Sequence, residues 1–117
     1  MLVSTSFSQN FEKVYQMTTM SFDKVKKEWV EQNVTYPSGI YVMLKGSEVI
    51  ITSDYQQRIY TYGEAQENDY PTHKSYTWKA IDKSGINCKF IFKVFKNGTI
   101  VYMFLYDGAC VEYVMQK

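Results

Sequence analysis

The chain predicts an α+β fold: one N-terminal helix packed on a curved antiparallel β-meander of six to seven strands, with an open barrel as the alternative. Three observations predict it. Aromatic residues make up 17% of the 117 residues, eleven of them Tyr, and aromatic side chains suit pleated, half-buried surfaces. The stretch from Ser21 to Gln32 has helical spacing and helix-end signals. From Ile40 onward the apolar period changes to two, broken by turns that contain Gly or Asn. The length suits one domain with a real core.

Asn10 to Met20 supports two readings. Phe11, Lys13, Tyr15 and Met17 alternate with Glu12, Val14 and Gln16 as in a strand, while Phe11, Val14 and Met17 also fit a helical stripe. In the expected helix, Ser21 is the N-cap and Asp23 lies in the first turn, where the helix dipole favours an anion. Phe22, Val25 and Trp29 fall on one helical face, and Pro37-Ser38-Gly39 prevents continuation. The expected strands then run Ile40 to Leu44, Glu48 to Thr52, Gln56 to Tyr62, Lys74 to Ile81, Ile86 to Phe95, Thr99 to Tyr106 and Ala109 to Met115. Gly63 to His73 is expected to be a polar loop.

Asn97-Gly98 fits a two-residue type I′ turn, which pairs Lys96 with Thr99. That register puts Cys88, Phe90, Phe92, Val94, Val101, Met103 and Leu105 on one apolar core face. Tyr102, Phe104 and Tyr106 then share a mixed face with Lys89 and Lys93. The same register with a two-residue Asp107-Gly108 turn buries Glu112 beside Met103. A lone buried carboxylate is costly, so a three-residue loop or bulge is expected there, with Val111, Tyr113 and Met115 in the core.

The charges exclude some classes. Thirteen basic and twelve acidic residues give a net charge of +1, and Arg58 is the only arginine. A nucleic-acid partner, which calls for a basic excess and Arg forks, is not expected. No apolar run approaches the ~18 residues of a membrane span.

Residues 1–11 carry no charge, and Ser6-Phe7-Ser8 fits a small-x-small cleavage pattern. Residues 1–8 therefore read as a signal-peptide remnant before a single domain over residues 9–117, with Gln9 as the mature N-terminus. The alternative is a cytoplasmic protein with a frayed start. The segment LVSTSFSQ and the tail residues Trp78, Asp82, Gly85, Cys88, Asn97-Gly98 and Tyr113 resemble small exported Bacteroidota proteins of uncharacterised function. The resemblance covers about the first nine and the last forty residues. It implies a periplasmic or extracellular location and carries no catalytic residues.

No catalytic or metal signature stands out. His73 follows Pro71-Thr72 among Glu64, Glu67 and Asp69, and an enzyme would need it to meet distant groups such as Asp54 or Glu112. An exposed histidine is the simpler reading. Glu64, Glu67, Asn68 and Asp69 lack the spacing of a calcium loop. Cys88 and Cys110 are too few for zinc and are expected to stay unbridged, with Cys88 buried. The Asn33-Val34-Thr35 and Asn97-Gly98-Thr99 triplets match the glycosylation pattern by coincidence. The aromatics are the feature to follow. Tyr60, Tyr62, Tyr76, Trp78, Tyr102 and Phe104 form the expected ligand-binding set, against a plain second core layer. The expected function is a non-catalytic, cofactor-free binding module for an apolar small molecule or a glycan. The alternative is a protein-interaction or inhibitor domain, a monomer or weak dimer, acting through a sheet edge or the aromatic hairpin face.

Overall fold

A computed structural model describes residues 11–115, which contain no helix. They form nine antiparallel strands: β1 Glu12–Asp23, β2 Glu28–Thr35, β3 Tyr41–Lys45, β4 Glu48–Thr52, β5 Gln56–Asp69, β6 His73–Asp82, β7 Asn87–Phe95, β8 Ile100–Tyr106 and β9 Ala109–Met115. The expected cleavage after Ser8 lies outside the described residues. No helix among the described residues is long and apolar enough to cross a membrane.

The expected helix is a hairpin. β1 runs on through Ser21 to Asp23, and β2 returns against it with Phe22 opposite Trp29. Those two rings meet edge to face at 5.4 Å, a cross-strand pair and not two turns of a helix face. Asp23 explains the misreading. Its Oδ1 accepts the backbone N–H groups of Val25 and Lys26 at 2.9 and 3.1 Å, as a helix cap would. Lys27, however, donates its N–H to Asp23 O and takes a φ of 57°, and that left-handed residue turns the chain back. An Asp followed by polar residues starts a turn as readily as a helix. What decides the case is the β1 backbone, whose N–H and C=O groups are taken up by β9 along Val14 to Ser21.

That β1–β9 ladder closes the sheet. The strands β1, β3, β4, β5, β6, β7, β8 and β9 form a closed eight-stranded barrel, and β2 is an added strand beside the second half of β1. β3 uses the same edge of β1 further back, at Glu12 and Lys13. A barrel of eight strands has an interior that side chains just fill. Here Val14, Val42, Val49, Ile51, Ile59, Ala80, Cys88, Phe90, Tyr102, Phe104, Tyr113 and Met115 fill it. The concavity assigned to a helix thus holds the sheet's own side chains. A bulge in β1 after Val14 lets both Val14 and Met17 point inward.

The β7–β8 hairpin has a longer loop than Asn97-Gly98 alone. Phe95 donates its N–H to Thr99 O at 2.9 Å, and Gly98 donates to Phe95 O at 3.0 Å with a φ of 91°. This is a three-residue loop with glycine in the left-handed position. Phe90 therefore faces Phe104 and Phe92 faces Tyr102. Tyr102, Phe104 and Tyr106 belong to the interior, while Val101, Met103 and Leu105 turn outward. β8 and β9 are joined by the plain two-residue turn, Tyr106 opposite Ala109. Glu112 does pair with Met103, but on the outer face, where it reaches Lys93 at 4.0 Å across β8. The odd loop sits one hairpin earlier than expected, and Val111, Tyr113 and Met115 still face the interior.

The expected polar loop from Gly63 is mostly strand. β5 continues to Asp69, and after a break between Tyr62 and Gln66 it pairs with β6 as far as Asp69 opposite Lys74.

The register makes a direct prediction. Phe104→Ala should destabilise the fold by about 3–5 kcal/mol in urea unfolding, and the outward Met103→Ala by clearly less. The reverse order would contradict the pairing of Phe90 with Phe104.

Candidate functional site

The inward faces of β6, β7 and β8 carry aromatics at every level near one end of the barrel. Trp78 lies over Phe90 at 5.6 Å, and Tyr76 lies 6.1 Å from Phe92. Phe92 stacks on Tyr102 at 5.3 Å and Phe90 on Phe104 at 5.2 Å. Alternation along each strand builds this stack: β6 contributes Tyr76, Trp78 and Ala80, β7 Cys88, Phe90 and Phe92, and β8 Tyr102 and Phe104. Tyr102 and Phe104 are fully buried, whereas Tyr76, Trp78 and Phe92 are half-buried. The stack therefore starts in the sealed core and ends at an opening.

The opening comes from β5. Tyr62 pairs with Lys79 and Gln66 with Thr77, so Gly63, Glu64 and Ala65 together stand opposite the single residue Trp78. Gly63 has a φ of 76°, and nothing lies within 4 Å of where its Cβ would be. Only glycine adopts that backbone without strain. β4 ends its pairing with β5 at Tyr60, leaving the wall beyond Trp78 uncovered on that side. The result is a cavity of about 470 Å³, with Leu44, Val49, Trp78 and Phe90 as its apolar lining and Thr61 and Tyr62 at its side.

Of the six expected binding residues, the structure brings Tyr76, Trp78, Tyr102 and Phe104 into one stack and separates Tyr60 and Tyr62 from it. Tyr60 and Tyr62 alternate with Ile59 and Thr61 and lie on the outer face, though Tyr62 reaches the cavity rim. Sequence reading missed the three-residue bulge, for which Gly63 at the end of an alternating run is the one available signal. It also missed Glu12. The Tyr102 hydroxyl donates to Glu12 Oε1 at 2.6 Å, satisfying a polar atom at the end of the stack.

At the other end, Asp82 Oδ1 accepts the N–H groups of Ser84 and Ile86, and its Oδ2 accepts the Tyr106 hydroxyl at 3.1 Å. A second cavity of about 460 Å³ opens there beside Tyr55, Arg58 and Asp82. Its carboxylate already serves three donors within the protein, so this end is read as a stabilised turn. Burial pushes the Cys88 thiol up, against an opposing effect from Tyr106. Burial, with Glu112 next, pushes Cys110 up to about 11. Both cysteines are free and buried, on opposite faces of the sheet, and neither is activated as a thiolate.

His73 opens β6 between the rings of Tyr70 and Phe95, at 4.8 and 4.6 Å, with Thr72 Oγ1 2.9 Å from its Nδ1. Its ring neighbours are aromatic, and Glu112 lies beside Lys93. Glu67 lies 3.9 Å from Lys74, and no group of three or more His, Cys, Asp or Glu among the described residues could hold a metal ion. Comparison with protein-family models, curated proteins and solved structures gives no match for this chain.

Three interior tyrosines make stability fall at alkaline pH. Burial raises Tyr102, with the Glu12 hydrogen bond next; burial raises Tyr106, with Cys88 and Asp82 adding to it; and burial raises Tyr113 to about 12. An unfolded tyrosine ionises near pH ~10. Above that pH the unfolded chain loses these protons first, so stability that is complete below about pH 10 is lost as the pH climbs towards 12 and beyond. A spectrophotometric titration should show these three hydroxyls resisting ionisation until the barrel unfolds. Smooth ionisation of all eleven tyrosines in a folded protein would contradict their burial.

Proposed function

We propose that this protein is a small, non-catalytic binding module, exported from the cytoplasm, that holds an apolar small molecule or the apolar face of a sugar beside Trp78. The observation that carries this reading is the bulge of Gly63, Glu64 and Ala65 opposite Trp78, which opens the barrel wall onto the aromatic stack. Bulges recur at barrel rims and beside functional sites. A cavity of this size, mainly apolar and with a few polar groups at its side, suits a small ligand. Rings already held by packing lose little entropy when a ligand stacks on them. Export rests on Ser6-Phe7-Ser8 and is supported if the protein from its own host begins at Gln9.

A second reading, protein interaction, is favoured by β2. That strand pairs with β1 on one side, and its other edge has no strand partner among the described residues. Strand addition to such an edge is a recurring mode of recognition.

The mouth reading is tested directly. In a Trp29→Phe background Trp78 is the only indole. Titration with N-phenyl-1-naphthylamine should quench or shift its emission. Leu44→Glu, at an exposed rim position, should weaken that binding by about tenfold or more and leave the unfolding midpoint nearly unchanged. A Leu44→Glu protein that binds as well as its parent removes the mouth as the site.

A further inference from the structure

We infer that the ligand is an amphipathic anion, its acidic group held by Lys79 and Lys89 on the outer side of the bulge and its apolar body beside Trp78. This rests on the reading of the mouth given above and names the chemistry that the mouth selects.

Lys79 and Lys89 are direct cross-strand partners on the outer faces of β6 and β7. Like charges directly opposite one another in a ladder are unfavourable. Two other strand lysines are matched with acids, Lys93 with Glu112 at 4.0 Å and Lys74 with Glu67 at 3.9 Å. Among the described residues, Lys79 and Lys89 have no such ion pair. They line a groove of about 280 Å³ with Thr77, Gln66, Glu64 and Tyr62. Thr77 and Gln66 add neutral polar side chains, and Glu64 offsets only one of the two cations.

The groove and the apolar cavity meet. Tyr62 and Gly63 line both, and the space over Gly63 is open. The two lysines directly follow Trp78 and precede Phe90 in sequence, so the strands that present the rings inward present the cations outward at the same level. A molecule lying across the bulge therefore meets two cations on one side of the wall and two aromatic rings on the other. A neutral apolar ligand would leave the lysine pair uncompensated, and a small inorganic anion would leave the cavity empty. An apolar carboxylate, sulfonate or phosphate monoester satisfies both.

The test compares two probes of similar ring size on the intact protein: anionic 8-anilinonaphthalene-1-sulfonate and neutral N-phenyl-1-naphthylamine. The wild type should prefer the anion, and that preference should fall with added salt. Lys79→Gln/Lys89→Gln should weaken the anion about tenfold and leave the neutral probe unchanged. Glu64→Gln should strengthen the anion. Lys24→Gln/Lys26→Gln, with the same change in net charge at the β1–β2 turn, should alter neither. If the neutral probe binds and the anion is insensitive to Lys79 and Lys89, the anion proposal fails and the mouth reading stands. If neither probe binds, both fail. Lysine-dependent sedimentation with anionic phospholipid vesicles, without binding of the soluble anion, would also overturn the proposal, because the charge would then be read from a membrane.

Discussion

The structure depends on one non-local ladder, in which β1 pairs with β9 from Val14 opposite Met115 to Ser21 opposite Ala109. Without it the chain is an open meander with two long unpaired edges, which is both unstable and prone to associate. With it, the inward side chains of eight strands share one interior. The ladder joins the first described strand to the last, so its entropy of closure is large and must be met by burial. Val14, Tyr113 and Met115 lie along this seam and are buried. The Tyr102–Glu12 hydrogen bond crosses the same closure, joining residues 90 apart in sequence.

The aromatic stack follows from that closure. A closed eight-stranded wall has little room inside, and flat rings fill it in layers with centroid spacings between 5.2 and 6.4 Å. The layers are sealed where β3 and β4 cover them and exposed where β5 bulges away from Trp78. The candidate site is thus the point at which the core stops being covered, rather than a set of residues added to the fold. This explains why four of the aromatics proposed as a binding set are also structural. Tyr102 and Phe104 anchor the stack, and Tyr76 and Trp78 carry it to the surface. Any ligand that reaches Trp78 meets a surface already held rigid from below.

Much of the strand pattern was legible. The two-residue alternation placed β4 and β9 at their observed ends, and β3, β6, β7 and β8 to within a residue or so at each end. The failures share one cause: a local signal that fits two structures. Asp23 caps a turn with the same hydrogen bonds that would start a helix. Asn97-Gly98 fits loops of two or three residues, and one extra residue exchanged the faces of β8. The expectation of an irregular Asp107-Gly108 turn followed from that slip, since the cost of burying Glu112 was weighed in the wrong register. Gly63 and the acidic residues after it suggested a loop, although the backbone continues in β5 with its side chains in solvent.

The sequence by itself determined that the chain is rich in antiparallel strands and where most of them lie, because alternation and turn residues are local properties. It also determined that the chain is rich in aromatic side chains, because composition alone shows that. Only the tertiary structure decided that β1 is a strand, that the sheet closes, and which face of β8 points inward. Those choices are made by partners far away in the chain: β9 for β1, and the filled interior for β8. The same holds for the bulge opposite Trp78 and the unmatched Lys79–Lys89 pair. Each exists only once the register between neighbouring strands is fixed, and register is set by the burial of a whole face, not by the residues at the site.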